Sequence, residues 1–266
     1  MARKRTERVI VTTVTPDGAR RRPDELIVEE PMTIQLDGTV VSTTMRTPGN
    51  DFELAVGFCV TEGLLGGAAV TGVRYCSNGS AVASAFNEVT VETGGAAPPP
   101  VSHRLVATSS SCGWCGSDQI DELIARLAPL PPSRPIPGAV LAAAPPLVRA
   151  TQGLFSSTGA VHAAAALDVD GTVLLTREDV GRHNAVDKVI GAMALAGSLP
   201  AAGLGLFVSG RASVEMVQKA WAAGFGSLVA VSAPTALAVE AAQRAGMTLV
   251  GFVRDGSYNR YAGDEP

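Results

Sequence analysis

The residues best suited to chemistry are two cysteines in SSSCGWCGSDQ, residues 109–119, where Cys112 and Cys115 are two residues apart among serines and glycines. Three chemistries use such a pair: half of a zinc site, a dithiol–disulfide couple, or a carrier of one reactive sulfur. Zinc needs about four ligands, usually a second C-x-x-C or paired histidines. Cys59 and Cys76 are isolated, and His103, His162 and His183 show no ligand spacing. The deaminase signature, H-x-E with P-C-x-x-C, is also absent, because Ser111 precedes Cys112. No intrinsic metal is expected. A dithiol couple gains from a helix starting just after it, which stabilises a thiolate. Ser117 is the expected N-cap of that helix, with Ile120, Leu123, Ile124 and Leu127 on one face. Thioredoxin-like pairs, however, sit in an early βα turn, and this one follows a long α+β region. Small residues around the pair predict a mobile loop, which suits a cysteine that visits two partners.

A second constellation is TREDVGRHNAVDK, residues 176–188. With a helix starting near Arg182, His183 and Asp187 share a face, as do Asn184 and Lys188. Arg182, His183 and Lys188 could then hold an anion, helped by the Gly181 amide. A plain surface pair of His183 with Asp187 fits the spacing equally well. In SGRAS, Gly210 and Arg211 precede a helix capped by Ser213, a weak phosphate signal by itself. In FVRDGSYNR, Arg254 could meet a phosphate and Asp255 a guanine edge, although Asp255-Gly256 also reads as an ordinary turn.

These loops need elements to place them. The first half reads as α+β. A hairpin turns at Asp37-Gly38, and a helix starts from Asn50 or Asp51 with Cys59 in its apolar run. Strands follow at GVRYCS and SAFNEVTVET, with Cys76 structural. PLPPSRPIPGAVLAAAPPL is too proline-dense for continuous helix and reads as a semi-rigid connector. Beyond it, a hairpin at Asp170-Gly171 leads into alternating helices and strands, the pattern of a partly parallel sheet. Ligands of such sheets gather at the carboxyl ends of the strands, which here carry REDVGRHN, SGRAS, SAPT and RDGSYNR. The reading is α/β, α+β overall. It comprises an N-terminal α+β domain (1–108), the cysteine loop, helix and connector (109–145), and a C-terminal α/β domain (146–266).

Of the 266 residues, 46% are hydrophobic and 17% charged, as in a globular protein with a sizeable core. A net charge of −4 argues against nucleic acid as a partner. The basic clusters MARKR and Ala19–Arg22 read as a solvated tail. No signal peptide or membrane-length apolar run is visible, so a cytoplasmic protein with free, reactive or metal-bound thiols is expected.

Six stretches together resemble the formate dehydrogenase accessory sulfurtransferase (FdhD) family. They are TPGNDFELAVGFCVTEGLL, SSSCGWCG, STGAVHAAA, REDVGRHNAVDK, SGRASVEMVQKA and LVGFVRDGSYNRY, spread through most of the chain. EDVGRHNAVDK is far more specific than the cysteine pair. Trp114 and Ala160 depart from residues common in the family, a small aliphatic and a glycine, and neither carries a thiol. The resemblance implies a small N-terminal α+β portion and a cytidine-deaminase-like α/β lobe lacking the deaminase zinc. It also implies that Cys112, with Cys115 as second candidate, takes persulfide sulfur from a cysteine desulfurase. The sulfur then passes to a molybdenum (or tungsten) bis(molybdopterin guanine dinucleotide) cofactor destined for formate dehydrogenase. A homodimer is implied as well. Phe252, Val253, Arg254, Asp255, Gly256 and Ser257 match the family's cofactor-binding stretch, and Arg182, His183 and Arg211 would add cationic contacts. A non-catalytic cofactor chaperone and a dithiol–disulfide oxidoreductase are the alternatives.

Overall fold

The structure, a computed structural model, describes residues 3–76, 81–82, 84–99 and 127–263. Its first element is absent from the sequence reading. Where a solvated tail was expected, β1 (Thr6–Thr15) and β2 (Gly18–Ile27) pair in antiparallel register as a separate ribbon. The overlooked signal was Pro16-Asp17-Gly18 beside the β-branched run VIVTTVT.

A four-stranded sheet in the order β4-β3-β6-β5 follows. It comprises β3 (Glu30–Leu36), β4 (Thr39–Arg46), β5 (Gly72–Tyr75) and β6 (Glu88–Glu92). The hairpin turns at Asp37 and Gly38, both at positive φ as a tight two-residue turn requires. Helix α1 (Asp51–Thr61) starts as expected but without the expected cap. Asn50 adopts φ 58 and makes no side-chain cap. Asp51 fixes the helix start instead, accepting both arms of the fully buried Arg46 at 3.0 Å and the Gly49 N–H at 3.1 Å. Cys59 is fully buried in this sheet's core, and burial pushes its thiol up to about 12, so it is inert at neutral pH. Cys76, also buried, contacts the Ser84 hydroxyl.

The second sheet has six strands in the order β12-β11-β10-β9-β7-β8. Its centre is parallel: β9 (Gly205–Val208), β10 (Ser227–Ala230) and β11 (Thr248–Arg254). Antiparallel strands flank it, β7 (His162–Leu167) with β8 (Val173–Asp179) on one side and β12 (Ser257–Ala262) on the other. Alternate residues of β7 enter two cores, as the period of a strand dictates. Ala164 and Ala166 meet α4 (Arg182–Leu195), α5 (Val214–Ala222) and α6 (Ala236–Ala245), whereas Ala165 and Leu167 meet α2 (Gly138–Arg149).

Helix α2 corrects the reading of the proline-dense connector, because it contains Pro145 and Pro146. Leu141, Ala144 and Val148 lie on one buried stripe against Phe207, Val229 and Val250. That burial outweighs the missing amide bonds, and Pro146 faces solvent. A short helix, α3 (Gly153–Thr158), follows. Among the described residues no helix is long and apolar enough to cross a membrane.

The two sheets share α1. One side of it belongs to the core of the first sheet, and the other crosses α4 where Gly57 meets the Asp187 carbonyl and Gly191 meets the Glu53 carbonyl. Below this crossing, Lys219 of α5 reaches Asp187 (3.0 Å to each oxygen) and Glu62 (3.1 Å), and Thr61 donates to Asp187 at 2.9 Å. Gln218 donates to the Thr61 carbonyl. Burial alone would discharge Lys219, but Asp187 and Glu62 beside it raise its pKa above the ordinary lysine value. Burial pushes the Asp187 carboxyl up, against the pull of Lys219.

Replacing Lys219 with Met takes the ammonium from both oxygens of the buried Asp187 carboxylate. A loss of about 3–5 kcal/mol is expected at pH 7. Burial already pushes the Asp187 carboxyl up, and without Lys219 nothing on α5 opposes it, so the penalty grows as pH rises from its unfolded value to its raised folded one and levels off above. Urea midpoints should therefore show the gap to wild type narrowing from pH 7 to pH 5. Adding Asp187→Asn should restore part of the loss.

Candidate functional site

The loops expected at one end of the second sheet do lie there. His162 of β7 is opposite Asp179 of β8, and β7 runs antiparallel to β9, so both residues sit at the carboxyl end of the parallel strands. The loops after β9 and β10 are joined, with Ala212 donating to the Ala233 carbonyl and accepting from Thr235. The Phe252 amide donates to the Ser232 carbonyl, which ties in the end of β11.

Much of REDVGRHNAVDK builds this end rather than facing a ligand. Glu178 reaches across to accept the Leu154 and Phe155 amides at 2.9 and 2.8 Å, capping α3. Asp179, fully buried, accepts from Thr47 N, Gly181 N and Asn184 Nδ2 and pairs with Lys188 at 2.7 Å. Lys188 is equally buried and also donates to the Thr47 carbonyl at 2.9 Å. Burial lowers its pKa, against the pull of Asp179. The anion-binding role expected of Lys188 and of the Gly181 amide is therefore corrected, since both are already used within the protein. The expected His183–Asp187 surface pair is corrected too. Asp187 is buried with Lys219, and His183 Nε2 lies 2.7 Å from Glu215 of α5. The hydrogen bond from His183 pulls the Glu215 carboxyl below its usual range, against partial burial.

Arg182 and His183 remain at the mouth of this arrangement. A Cβ placed on Gly210 would lie 3.6 Å from both Arg182 Cδ and His162 Cε1, so a bare backbone separates the two side chains. Arg182 Nε is buried and has no hydrogen-bond partner among the described residues. Arg211 is exposed beside them, and the starts of α4 and α5 face the same end. Ser213 occupies the N-cap position, yet its hydroxyl serves Glu215 rather than the helix.

The Phe252–Ser257 stretch is a β-bulge and hairpin end. The sequence reading had the Asp255-Gly256 turn but not β12 after it. Phe252, at φ 53, projects partly into solvent, whereas Val253 is fully buried in the α2 core, leaving only its backbone for a ligand. Arg254 and Asp255 are exposed, and Ser257 donates to the Arg254 carbonyl. This hairpin and His162 are three strand spacings apart, about 14 Å. Cys112 and Cys115, with Ser117 and the helix face from Ile120 to Ile124, lie outside the described residues. The described residues contain no cluster of His, Cys, Asp and Glu able to hold a metal ion.

Residues 27–266 match the FdhD/NarQ family. The chain belongs to that family. It is 46% identical over 262 residues to the sulfur carrier protein FdhD of Mycolicibacterium paratuberculosis, covering 96% of each chain. It is also 46% identical over 267 residues to the protein of that name from Nocardia farcinica, covering 99% of this chain and 95% of that one. A crystal structure from Desulfotalea psychrophila, of a protein assigned as a formate dehydrogenase accessory protein, superposes with a TM-score of 0.77. That match covers 98% of both chains at 22% identity, so the family fold persists where little sequence does. Glu215 and His162 were missing from the sequence-predicted site. Only His162, at the head of the small-residue strand HAAAAL, offered a signal.

Proposed function

We propose that this chain is a sulfur carrier serving formate dehydrogenase, with Cys112 as the acceptor. The observation that carries the reading is the match, over nearly the full length of both chains, to proteins named sulfur carriers. The Cys112 thiolate attacks the outer sulfur of a persulfide on a cysteine desulfurase. The donor's S–S bond breaks, a new one forms on Cys112, and the donor cysteine leaves as a thiolate that takes up a proton. No net oxidation or reduction accompanies this exchange. Cys115 stands ready to relay the sulfur. The acceptor is the molybdenum (or tungsten) bis(molybdopterin guanine dinucleotide), a substrate here, whose phosphates suit Arg182, His183, Arg211 and the Phe252–Ser257 hairpin. In this reading the C-terminal lobe is cytidine-deaminase-like without the zinc, and the protein acts as a cytoplasmic homodimer.

The test is a loading experiment. Incubation with a cysteine desulfurase and cysteine should add one sulfur mass, removable by cyanide, to the peptide holding Cys112 and Cys115. A peptide that stays unmodified under conditions where the desulfurase turns over overturns the proposal.

A further inference from the structure

The β1–β2 ribbon stands apart from both sheets. Residues 6–26 precede the stretch that matches the family, and sulfur transfer as proposed above uses none of them. A lone two-stranded ribbon is marginal in water unless something covers it. Here Ile10 is 58% exposed and Val14 77%, and Gly18 to Pro23 are exposed throughout. β2 packs against α3, whereas β1 is hydrogen-bonded in a sheet to β2 alone.

The register shows which backbone groups of β1 are open. The Val28 amide donates to the Arg5 carbonyl at 2.9 Å, one step before the Thr6–Ile27 pair. Alternation then turns the backbone of Glu7, Val9, Val11 and Thr13 toward β2, and that of Arg8, Ile10, Thr12 and Val14 outward. Pro23 agrees with this phase, because it faces Ile10, where an N–H on β2 would point away from β1. The outward groups have no partner among the described residues. Edge strands are usually guarded by proline, lysine or a bulge, and TERVIVTTVT has none of these.

Charge selects the occupant. The base of the ribbon carries Glu7, Asp24 and Glu25 against Arg8, and the tip carries Arg20, Arg21 and Arg22 against Asp17. A second ribbon laid antiparallel sets each basic tip beside the other's acidic base. Glu7 and Arg22 are both exposed and in no ion pair among the described residues. Arg22 reaches across to donate to the Thr13 hydroxyl at 2.7 Å. With a twofold axis at Ile10, the two Ile10 side chains meet, Val9 faces Val11, and Thr13 faces Glu7 of the partner subunit. Arg22 then lies beside that carboxylate.

We propose, resting on the homodimer of the reading above but not on sulfur transfer, that β1 pairs antiparallel with β1 of a second copy, joining two ribbons into one four-stranded sheet about Ile10.

Sedimentation of the full chain over a dilution series tests this interface. Wild type should dimerise. Thr12→Pro removes an outward N–H but keeps the bonds to β2, as Pro23 does on the opposite strand, and should weaken the dimer about tenfold. Glu7→Arg should weaken it as well, and adding Arg22→Glu should restore it. Within one ribbon Glu7 and Arg22 are four residues apart along the strands, about 14 Å, so only contact between copies explains that rescue. Should Thr12→Pro fail to fold, the charge swap decides. A wild-type dimer whose dissociation constant is unchanged by Thr12→Pro and Glu7→Arg overturns the proposal and leaves a homodimer built through another surface. A wild type that is monomeric throughout overturns both and assigns the open edge to a different protein.

Discussion

Gly57→Ala and Gly191→Ala are each expected to leave little folded protein at growth temperature. A Cβ at either position would lie 1.8 Å from a backbone carbonyl oxygen of the facing helix, Asp187 for the first and Glu53 for the second. Side-chain overpacking usually costs about 1–3 kcal/mol because rotamers yield. Here the obstacle is main chain on both sides. Relief requires α1 and α4 to separate, yet each is packed into a different sheet's core. The cost should exceed that range and approach the whole stability of an ordinary domain, about 5–15 kcal/mol. Gly153→Ala is the control, since its Cβ would meet nothing within 4 Å. Thermal unfolding should leave that variant near wild type. A Gly57→Ala protein with a similar midpoint would mean that the helices do not approach this closely.

Cells that rely on this protein for formate dehydrogenase activity should lose that activity with Cys112→Ala. Alanine has no side-chain sulfur, so the proposed attacking atom is gone and no S–S bond can form at this position. Cys115→Ala should leave a reduced activity if Cys115 only relays or shields the sulfur, and the double variant should match Cys112→Ala. A protein that merely chaperones the cofactor would keep full activity in all three. A dithiol–disulfide enzyme would lose it equally in each single variant. Formate dehydrogenase assays on a complemented deletion strain separate these outcomes.

The sequence made some of this readable and hid the rest for physical reasons. Both Asp-Gly hairpins at residues 37–38 and 170–171, the alternation from β9 to β11 and the helix from Asp51 follow from local periodicity and turn chemistry, which operate over a few residues. Helix α2 went unread because its stability comes from Leu141, Ala144 and Val148 against a sheet formed far along the chain, and propensity cannot register that. The partners of charged residues were the least readable. Spacing joined His183 to Asp187, whereas the fold gives one to Glu215 and the other to Lys219, 32 residues from each.

The setting of Asp179 limits what can be moved. Its carboxylate joins the Thr47 amide, 132 residues earlier, to Gly181, Asn184 and Lys188. An engineer who transplanted residues 178–188 alone into another α/β scaffold, seeking its cationic mouth, would import a buried acid and a buried lysine severed from the Thr47 loop they bind. The portable unit is two segments, the turn before α1 and the turn before α4, and neither is a cassette without the other.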